Sequence, residues 1–512
     1  MRKWLIVPLA LALALAVFAP PRAEAFKGTV TVALSGEPLS MDPHIQSEFI
    51  GTMIWPWAYD NLIQSEPLVG KLKPWLAEKF ERINSKQYKF TLRKDAKFND
   101  GTPVTAEAVK YSIDRIVDPK TKSRLVPYFK SIDRVEVADK YTAILHLKVA
   151  DNGILKLLQR WGHVMNPKAK DMDPASISRN PQGSGPYVLK EWTKGQKMVF
   201  EANPHWWGSK MYPNRPKTLI LRRIQESTTR VKALLAGEVD IVTGIAPQFI
   251  PEVKANPKLE VVAIPSVRIL YMGFFTTHGG PFANVKVRQA VNHAVDSESI
   301  RKTFLGGFAD PYFQLLHPWV YSGYSKKITS WYPYDLGKAK QLMKEAGFEK
   351  GFKATLFTTL GRYPADKEAC ESITGMVKKI GVDAPCGPLV FPLYRQTFTA
   401  FQQGKKKEPG FYYQGFGNGA GYTSVSLRGF SACKGAWSPH CFKEYDALVD
   451  KAIATEDIED QQAEFEKAQM WMRDNATHKP ILKIHEVVGN NKRVSFKASH
   501  DENFHPWEIA VK

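Results

Sequence analysis

The chain reads as an α/β protein built on mixed sheets, and three observations predict it. Short segments alternate apolar and polar residues with a period of two; amphipathic segments begin at capping residues and stop at glycine; and between residues 218 and 264 the order is strand, helix, strand. The alternating segments are Gly28-Thr-Val-Thr-Val-Ala-Leu, closed by the turn Ser35-Gly36-Glu37-Pro38, and residues 88–93 and 141–147, each a strand with one wet face. Thr105 opens a helix that carries Val109, Ile113 and Ile116 on one side, with its hydroxyl as the N-cap. Residues 218–224, 239–242 and 259–264 are strands around a helix from Ser227 to Ala236 that Gly237 ends. Val285 to Ala294, Ser297 to Leu305 and Leu336 to Ala346 are helical, the last with Gly347 at its C-cap. Residues 443–473 form a long charged helical stretch, and strand character returns from Ile481 to Val488. No Gly/Ser linker separates two halves, which predicts domains assembled from interleaved segments.

A chain of 512 residues that is 44% hydrophobic, with no strict glycine period and no internal repeat, is excluded from the disordered, collagen-like and solenoid classes. At about 100–200 residues per domain it has room for two to four domains. The first 25 residues read as a secretory signal: Arg2 and Lys3, an apolar run from Trp4 to Phe18, then Pro20, Pro21 and the site Ala23-Glu24-Ala25. The mature chain is expected to begin at Phe26. No cysteine lies near the cut to take a lipid, and no later stretch is apolar enough to span a bilayer, so the expected product is soluble and periplasmic. The formal charge of +20 becomes +18 once three leader cations and one anion are removed. These cations are spread along the chain, with one short run at Lys405-Lys406-Lys407, so a nucleic-acid interface is not expected; the charge points instead to anionic membranes or ligands.

All four cysteines, Cys370, Cys386, Cys433 and Cys441, fall in the last third without a Cys-x-x-Cys spacing, which argues for disulfides rather than zinc. Spacing favours Cys433 with Cys441, and Cys370 with Cys386. For the second pair, a helix through Cys370 ending near Gly381 and a strand returning from Val382 bring both residues to one level, because ten helical residues rise about as far as five strand residues.

Catalytic motifs are missing. There is no Gly-x-x-x-x-Gly-Lys-Ser/Thr loop, no His-Glu-x-x-His, and Ser184 sits in Gln-Gly-Ser-Gly-Pro rather than a nucleophile elbow. Gly415, Gly417, Gly419 and Gly421 do not complete a dinucleotide fingerprint and are read as backbone that something approaches closely. No catalytic residue, metal cluster or cofactor is expected. A secreted hydrolase is the alternative from a different class, since scattered carboxylates can always be paired.

Several segments together resemble the peptide-binding family of extracellular solute-binding proteins, family 5, which includes dipeptide-, oligopeptide- and nickel-binding components of ABC importers. The carriers are Tyr59-Asp-Asn-Leu-Ile, Leu72-Lys-Pro-Trp-Leu-Ala-Glu-Lys-Phe, and above all Phe90-Thr-Leu-Arg-Lys-Asp-Ala-Lys-Phe-Asn-Asp-Gly-Thr-Pro-Val-Thr-Ala-Glu-Ala-Val-Lys-Tyr-Ser-Ile-Asp-Arg. Asn180-Pro-Gln-Gly-Ser-Gly-Pro-Tyr-Val-Leu, Ala202-Asn-Pro-His-Trp-Trp-Gly, Gly237-Glu-Val-Asp-Ile, the run from Pro281 to Asp296, and Tyr334 to Phe348 add to it. Most of these residues are read as structural: Asp100-Gly101 and Gly185-Pro186 set turns, and Arg288 ties down carbonyls.

The resemblance implies two lobes that close on a ligand at a hinge, a periplasmic-binding-protein clamp with an extra domain in the first lobe. Lobe one is expected over 26–290, including an insertion at about 67–195, lobe two over 291–477, with 478–512 returning to lobe one. The implied partner is an inner-membrane ABC permease, and the implied state a monomer without cofactor. The family's dipeptide binder holds the ligand carboxylate with an arginine in an Arg-Pro-Tyr-like loop after a strand. Here Gly361-Arg362-Tyr363-Pro364 follows such a strand, which makes Arg362 the anion clamp beside Tyr363. The relatives' amine-binding aspartate falls where this chain has Tyr412-Tyr413-Gln414-Gly415-Phe416-Gly417-Asn418-Gly419, so Asn418 or Gly419 replaces the acid and Tyr413 and Phe416 supply apolar surface. A neutral amide does not offset a buried ammonium. Ordinary peptides are therefore in doubt, and a carboxylate with an apolar body is favoured over a nickel chelate, an opine or a glycoside. Gly36 and Glu37 after the first strand, with Glu37 a substitute for the missing acid, and Arg160, Trp161 and His163 are further cleft candidates.

Overall fold

The computed structural model describes residues 28–65, 71–277, 279–320 and 322–512; the expected leader and the cut before Phe26 lie outside them. Its backbone is an eleven-stranded sheet in the order Cys386–Leu389, Thr355–Thr359, Gly410–Gly417, Leu259–Phe274, His478–Asn491, Ile241–Thr243, Thr29–Leu34, Thr218–Arg223, Lys197–Ala202 and Tyr187–Thr193, with Ala309–Pro311 added beside His478–Asn491. Val30, Val32 and Leu34 are buried, as the alternation of that first strand requires, and the strand pairs parallel to both neighbours.

Two strands tie the molecule together. Leu259–Phe274 and His478–Asn491 run antiparallel from Leu259 opposite Asn491 to Gly273 opposite His478. At about 3.3 Å per residue a strand of this length reaches roughly 50 Å, far enough to serve both lobes. The half up to Ile264 belongs to the first lobe. The half from Arg268 pairs with Gly410–Gly417 in the second, and the ladder slips between Pro265 and Ile269, where the proline has no N–H to give. Alternation predicts only 259–264 because residues 266–274 are buried on both faces and show no wet side.

We infer lobe boundaries inside these strands, whereas the sequence reading places them near 290 and 477. Phe282, Val287, Ala290 and Val291 pack with Leu270, Leu356, Phe411, Ile481 and Leu482 in one buried cluster, which places them in the second lobe. The insertion is a four-stranded antiparallel sheet, Ala77–Asn84, Gln87–Leu92, Thr142–Leu147 and Ile132–Asp139, covered by helix Ala106–Val117. It stops short of residue 195, since Tyr187–Thr193 is an edge strand of the large sheet.

Two local expectations change. Thr105 precedes that helix, but its hydroxyl makes no capping bond. The charged stretch 443–473 is two helices, Lys443–Ala454 and Ile458–Asp474, the second started by Asp457, whose carboxylate accepts the Glu459 and Asp460 N–H groups. Arg288 does tie down carbonyls, donating to Phe282, Ala283 and Asn475.

Cys370 is bonded to Cys386 and Cys433 to Cys441, in the pairing that spacing favoured. Helix Asp366–Lys378 carries Cys370, Gly381 turns the chain at φ +84°, and Cys386 returns beside it. Closing a loop of this size removes about 3 kcal/mol of unfolded-state entropy. We expect Cys370→Ser with Cys386→Ser to lower the unfolding free energy by about that amount in denaturant titration, and an unchanged midpoint would show that the bridge contributes nothing.

Five histidines, His44, His163, His317, His440 and His478, are at most 2% exposed. Burial holds each neutral, with pKa values lowered to about 4 for His44 and His317, to about 3 for His163 and His440, and well below the usual range for His478. In the unfolded chain they titrate near 6.5. Below that pH the unfolded state binds protons the native state refuses, so stability falls as pH drops from 6.5 toward 4. Each such histidine costs up to about 1.4 kcal/mol for every pH step of one that lies between its unfolded and native pKa values. His163, enclosed by the Trp55 and Tyr59 rings at 5.8 and 6.1 Å, is the cleanest test. We expect His163→Phe to flatten the slope of melting temperature against pH in this window; a slope equal to wild type would remove His163 from the account.

Candidate functional site

Between the lobes lies a cavity of about 1170 Å³. On the first-lobe side its wall is Glu48 and Phe49 at the start of helix Phe49–Ala58, Arg124 and Tyr128 in the turn before the insertion's strand Ile132–Asp139, and Arg160 and Trp161 at the end of helix Ile154–Trp161. Across it stand Arg362 and Tyr363, Phe391 and Arg395 of helix Phe391–Gln402, and the backbone from Gln414 to Ala420. Arg268, on the crossover strand, completes the wall at the hinge.

Arg362 is held by its own loop. Asp366 accepts the N–H groups of Gly361, Arg362 and Tyr363 and the Thr359 hydroxyl, which fixes the turn after strand Thr355–Thr359. The guanidinium lies 3.9 Å over the Phe391 ring and donates Nε–H to Tyr363 Oη at 3.2 Å, while Tyr363 Oη donates to the Gly415 carbonyl at 2.6 Å. Its two terminal nitrogens have no acceptor among the described residues. One fork of the guanidinium is therefore presented to the cavity with two parallel donors.

The other arginines are differently committed. Arg268 donates to both carboxylate oxygens of Glu502 and lies 4.4 Å from the Phe49 ring. Arg160 donates to Asn503 Oδ1 at 2.9 Å and Thr52 Oγ1 at 2.6 Å, and burial pulls its pKa down to about 10. Arg428 pairs with Asp450 at 2.6 Å. In all, nine cationic side chains line the cavity against three carboxylates, so its field is strongly positive. Each of the three carboxylates has partners already: Asp450 holds Arg428, Asp446 accepts the Cys433 N–H, and Glu48 accepts from Gly51 and Leu39 as an N-cap. Burial also raises the Glu48 pKa, opposed by its hydrogen bonds from Gly51 and Leu39 and by the Arg362 charge.

Of the residues singled out in sequence, Arg362, Tyr363, Phe416, Asn418, Arg160 and Trp161 line this cavity, with Phe416 edge-on to Phe430 at 4.3 Å and Trp161 stacked on Tyr128 at 4.7 Å. Four do not. Tyr413 lies three residues from Phe416 on one strand, so it faces the opposite side of the sheet, buried against Cys370 and Ile373. Glu37 accepts from Trp192 Nε1 and the Gly195 N–H, which pins it to the Tyr187–Thr193 hairpin, and Gly36 backs onto Ile50. His163 is interior. Asn418 is on the wall, but its amide is used up: it donates to the Tyr422 carbonyl and Ser426 Oγ and accepts from Gly421 N–H. It builds a turn, and its amide is committed to that turn. Gly419 does allow close approach, since a Cβ there would lie 2.5 Å from Arg160 Nη1.

Sequence reasoning missed Glu48, Phe49, Arg124, Tyr128, Phe391 and Arg395. None of them carries a local signal in the sequence.

The lobes touch at the rim. Asn152 Nδ2 donates to the Glu456 carbonyl at 2.8 Å, and a Cβ on Gly153 would run into the Tyr422 ring. A mixed sheet threaded by two crossover strands, a cavity between lobes and a rim clasp define a two-lobed ligand-binding clamp. Residues 71–437 match the model of the bacterial extracellular solute-binding proteins, family 5. The chain belongs to that family. It is 27% identical over 507 residues to the glutathione-binding protein GsiB of Salmonella choleraesuis, covering 96% of this chain and 95% of that protein. Its fold matches the ABC transporter-associated periplasmic binding protein DppA of Helicobacter pylori in complex with the peptide STSA, with TM-score 0.82 and 23% identity over 95% of this chain and 99% of that one. It also matches a dipeptide-binding protein of Pseudoalteromonas sp. SM9913 in complex with Met-Leu, with TM-score 0.84 and 21% identity over 94% and 100%. Among the described residues no helix is long and apolar enough to cross a membrane, and no group of three metal-ligating side chains is present.

Proposed function

We propose that this protein captures a peptide or peptide-like carboxylate in the periplasm by lobe closure and delivers it to an inner-membrane ABC permease, acting as a monomer after cleavage behind Ala25. Arg362 carries this reading: a guanidinium fork without an acceptor among the described residues, braced on Phe391 and Tyr363, matches a carboxylate with two parallel hydrogen bonds. Phe416, Trp161 and Phe49 provide apolar surface for the body of the ligand. The relatives that hold glutathione or peptides favour this ligand class. The protein performs no covalent chemistry in this reading.

The test is a thermal-shift screen of mature protein, unfolded and refolded to strip bound ligand, against peptides, glutathione, opines, sugars and nickel chelates. A ligand at a hundred times its Kd adds about 2.7 kcal/mol of stability. Shifts with carboxylate ligands are expected, and shifts confined to uncharged sugars would overturn the proposal.

A further inference from the structure

Arg124 and Arg395 face the same cavity from opposite lobes, Arg395 one helical turn beyond the Phe391 that braces Arg362. Arg395 projects from helix Phe391–Gln402, lies 4.2 Å over the Trp437 ring and donates Nη1–H to the Ala436 carbonyl at 2.7 Å. Arg124 is an exposed side chain two residues before the turn Val126–Tyr128. Neither makes an ion pair with a carboxylate among the described residues. The two charges act on each other, since Arg124 follows burial as a cause of the lowered Arg395 pKa, and Tyr128 beside them feels Arg395 in turn. Two like charges thus face one cavity from opposite lobes, with no carboxylate paired to either among the described residues.

That arrangement is unfavourable by itself and favourable around an anion. Repulsion between two guanidinium groups opposes closure, and an anion between them turns both contacts attractive, so its binding is stronger in the closed state than in the open one. The carboxylates lining the cavity do not offer this compensation, as each is engaged elsewhere. We propose that Arg124 and Arg395 form a second anion subsite, so that the transported molecule is a dicarboxylate: a peptide-like chain with one carboxylate on Arg362 and a second acidic group held between the lobes by Arg124 and Arg395, with Tyr128 and Trp437 flanking it. The inference rests on the peptide-carboxylate reading and narrows it to acidic ligands.

Titration calorimetry on refolded mature protein with matched probes tests it: Glu-Ala-Gly against Gln-Ala-Gly, and glutathione against its two monoamides. The acidic member of each pair should bind at least about 10-fold more tightly to wild type, with a steeper loss of affinity in added salt. In Arg124→Ser, whose side chain makes no hydrogen bond or ion pair among the described residues and so leaves folding intact, and in Arg395→Gln, that ratio should fall toward one. Acidic and amide probes binding alike, or both arginine variants preserving the ratio, would overturn the subsite while leaving the carboxylate reading in place provided binding still depends on Arg362. Failure of every carboxylate probe to bind would overturn both.

Discussion

Arg362→Ala should abolish the thermal shift given by carboxylate ligands and weaken their binding by about 100-fold or more. Charge-assisted bonds to a buried carboxylate are each worth about 1.5–3 kcal/mol, and truncating one partner strands the other charge in a site whose remaining cations are partly committed. The unliganded protein should melt almost as before, because among the described residues the Arg362 side chain makes one hydrogen bond and lies over two rings, those of Phe391 and Tyr363. Arg362→Lys should recover little, as an ammonium does not offer two parallel donors in one plane. Ligands without a carboxylate should be indifferent to both changes. If carboxylates bind Arg362→Ala and wild type equally in calorimetry, the clamp lies elsewhere in the cavity.

Gly153→Val should weaken every ligand, whatever its charge. Gly153 precedes helix Ile154–Trp161 in the first lobe, and its missing Cβ makes room for the Tyr422 ring of the second, while Asn152 next to it bonds the Glu456 carbonyl. A valine would hold the rim apart. The apparent affinity of a ligand scales with the fraction of protein that can reach the closed form, so a tenfold drop in that fraction is a tenfold rise in Kd. We expect a loss of about tenfold or more, together with scattering curves that no longer contract on adding ligand. Adding Tyr422→Ala should restore much of both by removing the clash. Unchanged contraction in Gly153→Val would show that the rim contact is incidental to closure.

Much of this was legible in the chain. The alternating segments, the capped helices and the strand-helix-strand order pointed to the α/β class, and the Cys370–Cys386 pairing followed from the rise of a helix against that of a strand. The clamp loop could be found because Gly361-Arg362-Tyr363 sits at the end of a readable strand and resembles a known motif. The choice of aromatic partner could not. Tyr413 and Phe416 look equivalent as neighbours in a sequence, yet a strand sends residues three apart to opposite faces, and which face meets the cavity depends on what packs behind it. Glu37 failed for a related reason: its turn is at a strand end, as expected, but the hairpin next to it supplies two donors that capture the carboxylate.

The local elements and the family are written in the chain itself, since they rest on interactions among residues a few places apart or on a long run of matched positions. Where the lobes divide is settled only on folding, because residues 266–274 are buried on both sides and lose the alternation that would mark them. The charge of the site emerges in the same way. Arg124, Arg160, Arg268, Arg362 and Arg395 are scattered through the chain, and it is the two crossover strands, by folding one lobe against the other, that turn a diffuse excess of cations into one positive cavity.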